Sequence, residues 1–158
     1  MRRIAVLTSG GDAPGMNAAI RAVVRTCLQN EMSVIGFKRG YNGVLMRSKD
    51  EHDDFEILTS RSVSDKIHRG GTFLRTARCL DFLKPEYQQQ AVENLHMLGV
   101  EGLVCIGGDG TYKGAAALNA LGLDTQVPAK LVYVSSGPYK RYEYGPYDIE
   151  LRHRANRD

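Results

Sequence analysis

The chain has 158 residues, of which 42% are hydrophobic and 25% charged, and its formal net charge is +3. These totals are typical of one soluble globular domain, and no apolar run approaches the length of a membrane span. The mild charge and the lack of a basic stripe with interleaved aromatic residues argue against nucleic acid as a partner. The apolar stretch at the N-terminus is interrupted too early for a signal peptide, so we expect a cytoplasmic protein.

The three cysteines and four histidines are widely scattered, and the sequence contains no CxxC pair. This pattern predicts neither a disulfide framework nor a zinc site. Each of these residues is more often a core or surface residue than a metal ligand.

The first predicted unit is a strand, a glycine-rich loop and a helix. Residues 3–8 (RIAVLT) predict a buried strand, and residues 8–17 (TSGGDAPGMN), here named the first glycine loop, follow it. Apolar residues at helical spacing then predict an amphipathic helix, with this core-facing stripe: Met16, Ala19, Ile20, Val23, Val24, Cys27 and Leu28. Residues 33–37 (SVIGF) predict a second strand, which completes a βαβ unit and favours a parallel sheet.

The middle of the chain is less regular. Residues 39–59 predict a charged loop with a short edge element, and residues 62–68 predict a short helix. Residues 85–98 predict a longer helix that ends at Gly99, a natural C-terminal cap.

A second strand–loop–helix unit comes next. Residues 103–106 (LVCI) predict a buried strand, residues 106–111 (IGGDGT) form the second glycine loop, and residues 111–121 predict a helix. Residues 131–134 predict a further strand. The rest of the C-terminal region shows no clear period, and five of the eight tyrosines crowd into its last 26 residues.

Both glycine loops are candidate anion sites. Glycine allows the backbone to approach a ligand closely, and the N–H groups at the start of the following helix attract anions. In the second loop Asp109 is placed to hold Mg²⁺, while the N–H groups of Gly110 and Thr111 can meet phosphate oxygens. Two structural alternatives stay open: a tight turn in the first loop, and Asp109 as a mere helix cap in the second.

Arginines form two further groups. The segment of residues 69–79 (RGGTFLRTARC), here named the arginine segment, carries planar guanidinium groups that suit phosphate. Arg21 and Arg25 share one helix face, where a bound anion would relieve their repulsion. Solvated surface charge is the alternative for both groups.

Three stretches together resemble the bacterial ATP-dependent 6-phosphofructokinase family. They are TSGGDAPGMNAAIRAVVR from Thr8, IHRGGTFLRTARC from Ile67 and IGGDGTYKGA from Ile106. Their order and spacing match the family, and the resemblance runs from Met1 to about Gly122. It implies a three-layer, Rossmann-like α/β fold with a largely parallel sheet, and phosphoryl transfer from MgATP to fructose 6-phosphate in glycolysis.

The resemblance also implies site residues. ATP would bind to these residues: Gly11, Arg78, Cys79, Gly108, Asp109, Gly110 and Thr111. Asp109 would hold the Mg²⁺ cofactor. ADP, as an allosteric effector, would bind at a subunit contact of a homotetramer, to Arg21, Arg25 and Asp65. Gly110 indicates ATP rather than pyrophosphate as the donor, because pyrophosphate-using relatives tend to carry Asp at this position.

The chain departs from the family after about Gly122. Relatives soon carry Thr-Ile-Asp-Asn-Asp, whose first Asp is the catalytic base, and this sequence has no such motif, so the catalytic residue is unknown. We expect residues 1–122 to form an ATP- and Mg-binding α/β domain in a truncated chain that is inactive alone. Residues 123–158 would be a divergent tail, disordered or frame-shifted.

Two other functions remain open. The missing base motif favours a non-catalytic nucleotide-binding remnant. A lipid or NAD kinase would also use a Gly-Gly-Asp-Gly-Thr loop, although the first glycine loop argues against that class.

Overall fold

The computed structural model describes residues 1–11, 13–48 and 50–122, with backbone alone at residue 51, and the backbone of strands 130–135, 140–144 and 147–153. These residues fall into two compact units, Met1–Asp124 and Thr125–Asp158. No helix in these ranges is long and apolar enough to cross a bilayer.

The first unit alternates strands and helices in chain order. Its elements are β1 (Arg3–Ser9), α1 (Met16–Gln29), β2 (Ser33–Phe37), α2 (Tyr41–Val44), β3 (Phe55–Leu58), α3 (Pro85–Met97), β4 (Gly102–Gly107) and α4 (Asp109–Ala120). Both predicted strand–loop–helix units are therefore confirmed.

One four-stranded sheet organises this unit, with strand order β3-β2-β1-β4. β1 pairs in parallel with β2 and with β4, whereas β3 runs antiparallel to β2 at the edge. The largely parallel sheet is thus confirmed, and β3 is the edge element predicted within residues 39–59. Because β1 and β4 are parallel neighbours, the loops that follow them leave the same end of the sheet.

Alternating side chains of the strands build a core on each face of the sheet. On β1, Ala5 and Leu7 join a buried cluster with residues of α2, α3 and α4, while Val6 joins another with α1. Helices therefore cover both faces, which confirms the three-layer α/β architecture. The core-facing stripe of α1 includes Ile20 and Val24, both fully buried.

Helix α3 ends as its sequence predicts. Gly99 has φ 66°, and its N–H donates to the His96 carbonyl at 2.9 Å. The next N–H, of Val100, reaches back to the Leu95 carbonyl at 2.9 Å. This pair of bonds is the Schellman motif, which satisfies carbonyls at the helix end and favours glycine at the left-handed position.

Two expectations for the first unit are wrong. Residues 62–68 form turns rather than a helix, and hydroxyl contacts such as Thr59 with Ser62 at 3.1 Å hold the chain there instead. β4 is half-buried along its whole length rather than buried. Its only neighbour among the described strands is β1, so one edge of β4 is not paired in this part of the chain.

The second unit contains a three-stranded sheet of order β5-β7-β6, formed by β5 (Lys130–Ser135), β6 (Lys140–Tyr144) and β7 (Tyr147–His153). The strand predicted over residues 131–134 lies within β5 and is confirmed. The side chains of residues 123–158 lie outside what the structure describes.

Candidate functional site

The two glycine loops lie side by side. Ser9 pairs with Gly107 in the β1–β4 register, so both loops start at the same level of the sheet. A Cβ built on Gly10 would lie 3.7 Å from the Gly108 nitrogen and 3.7 Å from Thr111 Oγ1. Two segments that are about a hundred residues apart in the chain therefore form one surface.

The helices that follow these loops begin without a side-chain cap. The capping positions are Gly15 for α1 and Gly108 for α4, and neither has a side chain that could accept from the helix N–H groups. In α4 the Thr111 N–H already donates to the Gly108 carbonyl at 3.0 Å, whereas no acceptor faces the Gly110 N–H within the described ranges. Free N–H groups at a helix start favour an anion there.

The glycines of these loops differ in whether a side chain would fit at their positions. A Cβ at Gly107 would lie 2.2 Å from the Ser9 carbonyl oxygen and 2.3 Å from Thr111 Oγ1, so the fold excludes any side chain. By contrast, a Cβ at Gly11, Gly108 or Gly110 would meet nothing within 4 Å. The second group therefore borders open space.

Thr111 supplies a buried polar group next to Gly10 and Gly107. The residue is only 2% exposed, and its Oγ1 has no hydrogen-bond partner in the described part of the chain. Leaving a buried hydroxyl unpaired costs about 1–3 kcal/mol. A bound ligand that hydrogen-bonds Oγ1 would remove this cost.

Asp109 is the first residue of α4, and its carboxylate is exposed. It does not cap the helix, which removes that alternative, and it pairs instead with Lys113 Nζ at 3.1 Å. No cluster of three or more His, Cys, Asp or Glu occurs among the described residues. Mg²⁺ often uses one or two carboxylates together with substrate phosphates and water, so a single carboxylate such as that of Asp109 is compatible with this ion.

The arginine segment is tied to the first glycine loop. The buried Asn17 side chain donates to the Arg69 carbonyl at 3.0 Å and accepts from the Phe73 N–H at 2.9 Å. At the end of β1, Thr8 Oγ1 lies 2.9 Å from Thr72 Oγ1 and donates to the Arg75 carbonyl at 3.2 Å. The structure therefore gathers all three sequence motifs at the carboxyl end of β1.

Arg78 and Cys79 are positioned through α2. Asn42 donates to the Arg78 carbonyl at 3.3 Å, and the neighbouring Tyr41 hydroxyl donates to the Thr111 carbonyl. The Arg78 side chain is exposed, whereas Cys79 is half-buried and packs against the core. Sequence reasoning missed Tyr41, although an aromatic residue between Gly40 and Gly43 was a usable signal.

Cys105 on β4 is chemically quiet. Burial raises the pKa of its thiol to about 12, against a smaller lowering by the Tyr41 hydroxyl, which lies 3.8 Å from Sγ. The thiol therefore stays protonated at neutral pH, and Cys105 has a packing role beside the site.

Arg21 contacts the turn that contains Asp65. Arg21 Nη1 donates to the Val63 carbonyl at 3.1 Å, and Asp65 follows two residues later with φ 54°. Arg25 is exposed on the same face of α1. None of the three forms an ion pair with a described residue.

Comparison with known proteins decides the family. The phosphofructokinase family model matches residues 3–134. The chain belongs to the phosphofructokinase family. The family match continues past Gly122, where the resemblance of the three motifs ends, and it includes all of β5 except Ser135.

Individual phosphofructokinases agree with this assignment. The chain is 52% identical over 125 residues to the ATP-dependent 6-phosphofructokinase of Macrococcus caseolyticus and 57% identical over 125 residues to that of Clostridium tetani. These alignments cover 79% of this chain but 37% of each relative, so the chain spans little more than a third of their length.

Solved structures show the same fold. Phosphofructokinase from Saccharomyces cerevisiae has a TM-score of 0.67 and 38% identity, covering 79% of this chain and 18% of that one. Pichia pastoris phosphofructokinase in the T-state has a TM-score of 0.70 and 33% identity, covering 75% of this chain and 13% of that one.

Proposed function

We propose that this chain forms the nucleotide-binding part of an ATP-dependent 6-phosphofructokinase. The full reaction moves the γ-phosphoryl group of MgATP to the 1-hydroxyl of fructose 6-phosphate in the cytoplasm. One observation carries the proposal: Gly11, Gly108 and Gly110, which the fold does not require to be glycine, border open space where the loops after the paired strands β1 and β4 meet.

Each part of the site has a role in this proposal. The backbone at the three glycines approaches the phosphates, the Gly110 N–H and the Thr111 hydroxyl donate to phosphate oxygens, and Arg78 adds positive charge. Cys79, which packs against the core next in sequence to Arg78, would line the ATP site. Asp109 would hold Mg²⁺, which supplies charge neutralisation of the phosphates when bound. Such catalysis is mostly positioning and electrostatic stabilisation, which suits a rigid strand-end site.

The family assignment also bears on the alternatives and on regulation. A lipid or NAD kinase is disfavoured, because the match includes all three motifs in register. Arg21, Arg25 and Asp65 are proposed to bind ADP as an effector in a homotetramer, because the two arginines form no ion pair with a described residue and can meet the phosphates of ADP.

MgATP binding tests the site. Calorimetry on the 158-residue chain should show tighter ATP binding with Mg²⁺ than without it, and Asp109→Asn should remove most of that difference. Lys113→Met is the control, because it breaks the same exposed ion pair and keeps the carboxylate. Equal affinity with and without Mg²⁺ in the parent chain would exclude the metal role of Asp109.

The donor assignment has its own test at Gly110. Gly110→Asp should weaken ATP binding at least tenfold more than pyrophosphate binding, because the carboxylate enters and repels the proposed α-phosphate space. Gly110→Asn separates volume from charge. Open space at this position lets both side chains fit the fold. Unchanged binding of both ligands in both variants would contradict the assignment of ATP as donor.

Turnover separates an enzyme from a nucleotide-binding remnant. The 158-residue chain should bind MgATP yet not phosphorylate fructose 6-phosphate, because its sequence lacks Thr-Ile-Asp-Asn-Asp. Loss of a positioned general base alone costs about 10²–10⁴ in rate. A coupled assay with purified chain measures this, and turnover of about 1–100 per second, the usual kinase range, would show that another carboxylate acts as base.

A further inference from the structure

A cavity lies one strand away from the glycine loops. It has a volume of about 320 Å³ and opens at the carboxyl end of β2. Four cationic side chains line it: Lys38, Arg39, Lys66 and Arg75. None of them belongs to the glycine loops or to the residues proposed for ATP or ADP.

Two of the four cations are already paired. Lys38 Nζ lies 3.7 Å from a Glu56 carboxylate oxygen, and Arg39 Nη2 lies 2.9 Å from Oδ1 of Asp54, which is 1% exposed. These ion pairs fix the wall of the cavity. Even so, Arg39 Nε is buried and has no hydrogen-bond partner among the residues that the structure describes.

The other two cations are not neutralised. Neither Lys66 nor Arg75 forms an ion pair with a described residue, and Lys66 Nζ lies 5.5 Å from the centre of the Phe73 ring. Although Asp53 also lines the cavity, the four cations outnumber its two lining carboxylates. The cavity is therefore left with a net positive charge.

The backbone presents two of these cations in an uncommon conformation. Arg39 and Arg75 have φ of 59° and 63°, in the left-handed region that residues with a Cβ rarely adopt. A hydrogen bond links the turns that carry Arg39 and Arg75, because the Arg39 N–H donates to the Leu74 carbonyl at 2.8 Å. Strained positions of this kind cluster at ligand sites.

We propose that this cavity binds the phosphate group of a small ligand, at a site separate from the glycine loops. The ends of parallel strands are where ligands bind in such sheets, and the volume is within the range of small-molecule sites. Arg75 offers a planar fork and Lys66 a point charge to phosphate oxygens. The proposal does not depend on the nucleotide function of the glycine loops.

Amide NMR of the labelled 158-residue chain tests the site, with inorganic phosphate and glycerol 2-phosphate as probes at constant ionic strength. We expect saturable shifts at Lys38, Arg39, Lys66 and Arg75. Tighter binding of glycerol 2-phosphate would identify a phosphomonoester as the ligand, and equal or tighter binding of inorganic phosphate would identify free phosphate. Shifts confined to Gly11 and residues 108–111, or reproduced by sodium chloride, would overturn the proposal.

Variants make the test specific. Arg75→Asn removes the guanidinium and keeps a residue that tolerates left-handed backbone, and Lys66→Gln removes the other charge. Each should weaken phosphate binding at least fivefold. Arg2→Gln is the control, because it removes one charge at the opposite end of β1, where Arg2 pairs with Glu101 at 3.7 Å. Equal weakening in all three variants, or in none, would overturn the proposal.

Discussion

The two glycine loops follow neighbouring parallel strands, and the fold constrains them in different ways. In the first loop Gly10 and Gly15 have φ of 91° and 90°, so the turn itself requires residues without a Cβ. In the second loop no φ is left-handed. There, contact with the Ser9 carbonyl oxygen, 2.2 Å from a Cβ at Gly107, imposes glycine instead.

Both loops also contain glycines that neither constraint explains. Gly11 in the first loop, with Gly108 and Gly110 in the second, has no left-handed φ and no neighbour within 4 Å of a Cβ. These three are the glycines that the family resemblance assigns to ATP. The comparison therefore separates glycines that the fold requires from glycines at which it would accept a side chain.

The largest expected change in the free energy of unfolding is at Gly107. Gly107→Ala should lower the free energy of unfolding by about 3 kcal/mol or more, because the methyl group meets backbone at the tightest packing point of the site. Gly110→Ala is the matched control and should raise stability by up to about 1 kcal/mol, since alanine favours a helix. Urea unfolding measures both. Similar stabilities for the two variants would break the distinction between the two kinds of glycine.

Asn17 tests whether the arginine segment is anchored to the first loop. Asn17→Ala should cost about 2 kcal/mol, because it leaves the Arg69 carbonyl and the Phe73 N–H without their partner. Asn30→Ala, which loses one exposed bond to the Thr26 carbonyl, should cost clearly less. If urea unfolding shows equal losses of stability in Asn17→Ala and Asn30→Ala, the buried Asn17 hydrogen bonds do not anchor the arginine segment.

The sequence predicts the strand–loop–helix units well because their signals are local. A short apolar run followed by glycines, then an apolar helical stripe, specifies β1 with α1 and β4 with α4. The turns at residues 62–68 were mistaken for a helix because side-chain hydroxyl bonds, rather than hydrophobic spacing, decide them.

The missing parts of the site come from long-range contacts. Tyr41 reaches Thr111 from 70 residues away, and Asn17 reaches Phe73 from 56 residues away. No local pattern shows such pairs. Likewise, sequence alone does not separate Gly107 from Gly108 and Gly110, because that difference depends on how β4 approaches Ser9.

Thr111 tests whether a hydroxyl group of the second glycine loop serves the ligand or the fold. Thr111→Val removes the unpaired buried hydroxyl at nearly constant volume, so stability should rise by about 1 kcal/mol. MgATP affinity should fall about tenfold, because a phosphate oxygen loses its donor. The exposed Thr26→Val is the control and should change neither quantity. A loss of stability in Thr111→Val would show that the hydroxyl serves the fold.

The smallest expected change in stability is at Gly11, and its neighbour Gly10 provides the contrast. Gly11→Ala places a methyl group in open space at an exposed position, so the free energy of unfolding should stay within about 0.5 kcal/mol. Gly10→Ala should cost about 1 kcal/mol or more, because φ of 91° is strained for alanine.

MgATP affinity should nevertheless fall in Gly11→Ala, since the methyl group keeps phosphate oxygens away from the backbone. Urea unfolding and calorimetry on both variants separate the two quantities. If Gly11→Ala binds MgATP as tightly as the parent chain does, open space beside a glycine does not mark the phosphate site.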